Sequence, residues 1–215
     1  MNPLSKLQAY HGYARNDVIQ LIGQESLPRT LDIGCGSGVF SSRIHALFGS
    51  ETWGIEPETD SFEKSTENLT RALHGTFEST NQILPRHYFN AIFFNDVLEH
   101  MIDPQRCLEQ AKFLLADEGK IYASLPNFIF ADNLVQIVLN KDWRYQESRI
   151  LDKTHLRFFT RKSMTRLFSD AGYSVNKVIP LSKVETWKWK LLLNLSFNKL
   201  EEYAVYQYGI VASPC

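Results

Sequence analysis

Three glycines at alternate positions, Gly34, Gly36 and Gly38, follow the short apolar run Leu31-Asp32-Ile33. Glycine reaches positive φ and lets a bound group approach the main chain, and a helix starting just beyond offers unpaired N–H groups. Eighteen residues after Gly38 stands Glu56, closing the stretch Trp53-Gly54-Ile55. A carboxylate at that place can accept both hydroxyls of a ribose across the switch point of an open sheet. Either feature alone fits an ordinary tight turn or a solvated acid, but the two at this spacing point to a nucleoside ligand. A dinucleotide fingerprint would need glycine at position 39, which is Val39, so the match to NAD binding is poor. Two further stretches carry acid and imidazole groups: Asn95-Asp96-Val97-Leu98-Glu99-His100-Met101-Ile102-Asp103-Pro104 and Asp152-Lys153-Thr154-His155-Leu156-Arg157-Phe158-Phe159-Thr160. A histidine titrating near neutrality is the usual base for a reluctant hydroxyl, so His155, with His100 second, is the candidate to take an acceptor's proton. The other reading of His100 is a ring tying its loop to the next helix.

The elements that must hold these residues alternate. A helical pattern over residues 1–27 precedes a strand through Leu31 and Ile33, then a helix from Val39 to Phe48. Thr52–Ile55 reads as a strand, 58–70 as a helix, 73–77 as a weak strand, and Phe89–Phe94 as a strand apolar on both faces. A helix over 104–116, with Asp103-Pro104 as its cap and first turn, leads to a strand at Gly119–Ser124. Such alternation predicts a doubly wound α/β fold with a mostly parallel sheet, because parallel neighbours need crossover helices. Tyr173–Ile179 and Ala204–Val211 are expected to add an antiparallel edge hairpin. Residues 1–215 read as one domain, with 126–160 as an acceptor-side cap rich in aromatics such as Trp143, Tyr145, Phe158 and Phe159. A purely structural cap, with Phe158 and Phe159 in the core and Thr160 capping a helix, fits as well.

Composition sets outer bounds. Apolar residues make up 44% and charged residues 22%, and the formal net charge is −1, which argues against a partner held by a general basic surface such as nucleic acid. Cys35, Cys107 and Cys215 show no paired or metal spacing, which fits a reducing cytoplasm. No cluster of His, Cys, Asp and Glu has metal spacing in the sequence, so no metal is expected; His11, His45, His74 and His87 read as surface or structural. No run approaches membrane-span length. Trp187-Lys188-Trp189-Lys190-Leu191-Leu192-Leu193 suits a packed helix, a subunit contact in a homodimer, or a weak peripheral membrane contact.

The motif Leu31-Asp32-Ile33-Gly34-Cys35-Gly36-Ser37-Gly38 resembles the first motif of the class I S-adenosylmethionine-dependent methyltransferases, and the resemblance runs from about residue 28 to 180. It implies a seven-stranded sheet and S-adenosyl-L-methionine as cofactor. Asp32, Gly34, Cys35 and Gly36 would line its methionine end, Glu56 would hold the ribose, and Asn95 and Asp96 would reach the cofactor from the fourth strand. Gly75-Thr76-Phe77-Glu78 lies where relatives often read G-D-A-E. Thr76 replaces the usual aspartate, which shifts adenine recognition toward Phe77 by backbone contact or stacking; Phe77 as plain core is the other reading. The Asn95–Pro104 stretch resembles that of ubiquinone-methyltransferase-like proteins. The Asp152–Thr160 stretch resembles a bacterial subgroup associated with surface-polysaccharide sugars. The implied activity is methyl transfer to an oxygen or nitrogen of a small acceptor, with a sugar or glycan precursor foremost. The alternatives are a quinone-type or other small aromatic acceptor, and a non-catalytic subunit that binds cofactor.

Overall fold

The computed structural model describes residues 15–187, 189, 194–197 and 199–215. The elements follow the chain as α1 (Asn16–Ile22), β1 (Arg29–Ile33), α2 (Val39–Phe48), β2 (Glu51–Glu56), α3 (Thr59–Asn68) and β3 (Arg71–His74). Next come the single turn α4 (Phe77–Thr80), β4 (Phe89–Asn95), α5 (Pro104–Lys112), β5 (Leu115–Pro126) and α6 (Ala131–Asn140). The chain ends with α7 (Arg161–Asp170), β6 (Tyr173–Lys183) and β7 (Val205–Pro214). One seven-stranded sheet runs β3-β2-β1-β4-β5-β7-β6. The first five strands in that order are mutually parallel, and β7 lies antiparallel between β5 and β6. The mostly parallel sheet with its antiparallel edge is therefore present.

Alternation along β4 shows why both sheet faces must be covered. Ile92 and Phe94 face a core shared with Leu31, Ile55, Leu108 and Phe168, whereas Ala91 and Phe93 face Val18, Phe40 and Ile44 of α1 and α2. Each buried Phe of this kind contributes about 1.5–3 kcal/mol through removal from water. Capping is local and readable: the Asp103 carboxylate accepts the Arg106 N–H at 3.0 Å with Pro104 in the first turn of α5. Thr160 and Ser163 form a reciprocal capping box at the start of α7.

Several boundaries differ from the sequence reading. The weak strand at 73–77 ends at His74, because Thr76 caps α4 and turns Phe77 into a helix. The helix from 104 stops at Lys112, and Leu115 already pairs with Phe89 through an irregular register that resumes at Ala91–Lys120. The helix expected over 1–27 stops at Ile22, where Gly23 at φ 68° ends it; residues 1–14 lie outside the described residues.

Candidate active site

Chain order reverses between β1 and β4, and in open α/β sheets ligands bind at the strand C-termini beside such a switch point. The glycine loop leaves β1 there. Gly34, Gly36 and Gly38 have φ of 70°, 55° and 79°, values that side-chain-bearing residues rarely adopt. A Cβ on Gly34 would come within 2.7 Å of Val97 Cγ2, so glycine is required there for packing as well as for backbone angle. The Gly34 and Cys35 N–H groups donate to the Ile55 carbonyl at 2.9 and 3.1 Å, which stitches the loop to β2.

Glu56 completes the stitch. Its carboxylate accepts the Gly36 N–H at 2.8 Å and the Glu58 N–H at 2.9 Å, one on each oxygen, and it is only 5% exposed. A carboxylate has about four acceptor positions, so capacity remains for ligand hydroxyls. Asp32 lies close by and is 2% exposed, with Oδ2 accepting the Ser41 hydroxyl at 2.8 Å from the first turn of α2. Among the described residues its Oδ1 and the Oδ1 and Nδ2 atoms of Asn95 at the end of β4 are buried without a hydrogen bond of ordinary geometry, although the Asn95 side chain is near enough to Asp32 to favour its charged form. Burial pushes the Asp32 carboxyl up to about 7; the Ser41 hydroxyl opposes this and the Glu56 charge adds to it. Buried polar atoms without partners are rare in folded proteins. Here they line a glycine cradle, which is the surface a cationic, hydroxyl-bearing ligand needs.

The remaining cofactor candidates divide. Cys35 turns its side chain down onto Gly54, where an added Cβ would meet the sulfur at 2.6 Å, so only its backbone faces the loop. Burial raises its thiol well above the usual range, which leaves it un-ionised. The Phe77 ring belongs to the core, edge-on to Phe94 at 6.5 Å and 2% exposed. Stacking on an adenine is thereby closed to it, because the first turn of α4 directs that side chain inward, and only its backbone stays at the rim. Thr76 is exposed and its hydroxyl caps α4 through Ser79 N–H. Asp96, in the left-handed region at φ 57°, is tied up: Oδ2 accepts Arg15 Nη1 at 2.7 Å, and Oδ1 accepts the Ser124 hydroxyl at 3.0 Å and the Gln207 amide. Arg15 also pairs with Asp17. That network joins α1, β4, β5 and β7, and neither Arg15 nor Gln207 carried any signal in the sequence.

Beyond Asp96 the acceptor-side motifs meet. The Leu156 and Arg157 N–H groups donate to the Glu99 carbonyl at 2.8 and 3.0 Å, which docks the cap against the turn after β4. The rings of His100 and His155 lie edge to face with centroids 4.7 Å apart. Each presents Nδ1 to a backbone carbonyl, His155 to Ile150 at 3.0 Å and His100 to Thr154 at 3.2 Å. A carbonyl can only accept, so Nδ1 carries the proton in each neutral ring and Nε2 keeps the lone pair. Asp152, three residues before His155, makes no hydrogen bond to its ring among the described residues; its carboxylate instead accepts the Thr154 N–H and hydroxyl at 2.8 and 2.6 Å in a local turn. Glu99, to which the sequence reading gave no role, is 1% exposed beside these rings, with Oε2 lacking a partner among the described residues. One donor atom each from Glu99, His100 and His155 lies within 4.8 Å of the others. Sequence spacing could not show this cluster, and it removes the ground on which a metal was not expected.

The cap also holds an aromatic group. Phe128 stacks on Trp143 at 5.3 Å and meets Phe158 at 5.4 Å, and Phe158 lies 6.5 Å from the His155 ring. Trp143 and Tyr145 are exposed, whereas Phe159 is core. Nearby, Phe130, Asn133, Gln136, Gln146, Arg149 and Tyr206 line a cavity. Ile150 also lines that cavity, and its carbonyl faces His155 Nδ1, which places the cavity beside the cluster. Among the described residues no helix is long and apolar enough to cross a membrane. Trp187 is exposed, and Lys188, Lys190 and Leu191–Leu193 lie outside the described residues.

Comparison with known proteins agrees with this layout. A ubiquinone biosynthesis O-methyltransferase of Bradyrhizobium diazoefficiens is 26% identical over 102 residues, a match covering 46% of this chain and 40% of that protein. The crystal structure of a SAM-dependent methyltransferase from Archaeoglobus fulgidus superposes with a TM-score of 0.67 at 16% identity, over 96% of this chain and 93% of that one. A SAM-dependent methyltransferase from Aquifex aeolicus gives 0.62 at 16% identity, over 99% and 98%. A family model described as a methyltransferase domain matches residues 7–178, most of the chain. A glycine cradle at the β1/β4 switch point, an acid closing β2 and a match of that extent lead to one conclusion: the chain belongs to the methyltransferase domain family, on the class I fold.

Proposed function

We propose that this enzyme, an S-adenosylmethionine-dependent methyltransferase, methylates a hydroxyl of a small ring-shaped acceptor, a sugar or glycan precursor foremost. The observation that carries the reading is the placement of two groups at one end of the sheet. The glycine cradle with Asp32 and Glu56 stands over β1 and β2, and the aromatic and imidazole cluster stands beside it over β4. S-adenosylmethionine supplies a methyl group on a sulfonium, which passes in line to an acceptor lone pair while the carbon–sulfur bond pair stays on sulfur. Asp32 and Asn95, with unpartnered buried atoms, would receive the cationic amino-acid end, and Glu56 the ribose hydroxyls. The cradle's backbone, including that of Cys35, would follow the cofactor, with the Thr76–Phe77 backbone at the adenine rim.

Such transfer asks the protein chiefly to position two partners and to remove the acceptor's proton. Trp143, Phe158 and Tyr145 offer apolar faces to a ring, and Gln136, Gln146 and Arg149 offer polar groups for its substituents. His155, with His100 beside it, is assigned to the proton through Nε2. A second reading, a phenolic acceptor, draws on the ring cluster and on the ubiquinone O-methyltransferase likeness. The whole chain would act as one domain in the cytoplasm, consistent with three unpaired cysteines. Transfer of labelled methyl into nucleotide sugars, glycan fragments and catechol-type phenols tests the class of acceptor. Incorporation into phenols alone would replace the sugar reading, and no incorporation with tight cofactor binding would support a non-catalytic subunit.

A further inference from the structure

We infer that Glu99, His100 and His155 form a binding site for a divalent transition cation of the zinc or manganese class, with an open position facing the acceptor. The donor atoms are a carboxylate oxygen and two imidazole nitrogens, all within 4.8 Å of one another. Around an ion at about 2.1 Å from each ligand, tetrahedral donor atoms stand roughly 3.4 Å apart, so the widest pair must close by up to about 1.4 Å. The second observation is Glu99 itself. Its side chain is buried to 1% exposure, and Oε2 meets no hydrogen-bond donor among the described residues. An isolated buried carboxylate is costly, and it is relieved by a bound proton, a counter-charge or a metal. Arg15, the nearby cation, already pairs with Asp96 and Asp17.

The histidines are set up as ligands. Both Nδ1 atoms face backbone carbonyls, at 3.0 Å to Ile150 and 3.2 Å to Thr154, which fixes the tautomer that leaves Nε2 as a lone-pair donor. Metal-bound histidines are held in this way by a carbonyl or carboxylate on the far nitrogen. Two nitrogens and one oxygen suit zinc, manganese or iron better than magnesium or calcium, which prefer all-oxygen sets. His100 is exposed while Glu99 and His155 are buried, so the site opens on one side only. Three protein ligands with an open position is the arrangement of catalytic rather than structural metal sites. With the ion bound, both Nε2 lone pairs are taken up, so the ion and not an imidazole would act on an acceptor hydroxyl, easing loss of its proton to solvent. That use rests on the proposed methyl transfer and replaces the imidazole base, whereas binding of the ion does not depend on it.

The test is calorimetric titration of zinc chloride into the chelator-stripped protein, with no cofactor or acceptor present, alongside thermal melts. The expected result is one ion per chain. The melting midpoint should rise by about 5–10 °C at a hundredfold excess over Kd. His100→Ala, an exposed position, should melt like the stripped wild type yet bind zinc ten- to hundredfold more weakly. Glu99→Gln should lose affinity by at least as much while its metal-free melting point stays level or rises, since a purely structural carboxylate would not be relieved by losing its charge. His87→Ala, at an exposed histidine outside the cluster, should bind as wild type. Absence of saturable binding, or binding undiminished in His100→Ala and Glu99→Gln, would overturn the site. Cofactor binding measured on the same samples is independent, so loss of the metal inference leaves the methyltransferase reading standing, and the reverse.

Discussion

Glu56 carries two loads that one substitution separates. In the free protein it clamps the glycine loop by accepting the Gly36 and Glu58 N–H groups at 2.8 and 2.9 Å. In the proposed complex its remaining lone pairs receive the ribose hydroxyls. Glu56→Ala removes two bonds to a charged acceptor, each worth about 1.5–3 kcal/mol when buried; water can replace the one to the exposed Glu58, whereas the Gly36 N–H is buried and is left unpaired. A loss of about 1–3 kcal/mol, or a fall of roughly 2–10 °C in the melting midpoint for a chain of this size, is expected. Affinity for S-adenosylhomocysteine should fall about ten- to hundredfold, because hydroxyls bonded to a carboxylate contribute more than neutral pairs. Calorimetry on the folded variant measures that loss, and a cofactor analogue lacking the 2′-hydroxyl assigns it. The analogue should bind wild type more weakly yet lose little further in Glu56→Ala, a coupling of about 0.5–3 kcal/mol. Unchanged affinity for S-adenosylhomocysteine in a folded Glu56→Ala protein would refute the ribose assignment, and additive losses would show the hydroxyl is held elsewhere.

Three other outcomes follow from single sites. Burial lifts the Asp32 carboxyl to about 7, so the native state holds a proton that the unfolded chain releases near pH 4. Its contribution to stability therefore falls as pH rises from about 4 to 7, by about 4 kcal/mol in all, and levels off above; Asp32→Asn should flatten that part of a melting-versus-pH curve. If the ionised form meets the cofactor's cationic end, affinity should climb about tenfold from pH 6 to 8, and a flat profile would remove Asp32 from that contact. Gly34→Ala places a Cβ 2.7 Å from Val97 Cγ2 at φ 70°, which should cost about 1–2 kcal/mol in backbone strain alone and weaken cofactor binding. Val97→Ala in the same chain should recover part of the loss, as read by melting and calorimetry. Thr160→Ala breaks the reciprocal cap with Ser163 and should lower stability by about 1 kcal/mol in denaturant titration without altering cofactor affinity.

Much of the frame was legible because its signals are local. Glycines at alternate positions, Asp103-Pro104 and Thr160 act through their own φ or their own helix end, so their neighbours in sequence are their neighbours in space. The doubly apolar run of β4 likewise fixed a central strand, because only a strand covered on both faces can bury every residue. One boundary slipped where tertiary pairing overrode local preference, as Leu115 joined β5 instead of prolonging α5, and another where a local cap, Thr76, ended the strand at His74.

The sequence by itself determined the sheet class, the glycine cradle and the acid that closes β2, since each depends on period, spacing and residue type over a few dozen positions. Only the tertiary structure decided what the side chains meet. It sent the Phe77 ring into the core and the Cys35 sulfur onto Gly54, because the face a residue presents depends on the elements packed over it. It joined Arg15 to Asp96 across 81 positions, Asp96 to Gln207 across 111, and the His100 loop to Thr154 across 54. Contacts at such separations arise when strands from distant parts of the chain end at one edge of a sheet, and no local pattern encodes that closure. The Glu99, His100 and His155 cluster is therefore a product of the fold: three ordinary residues become a candidate metal site only when β4 and the cap are brought together.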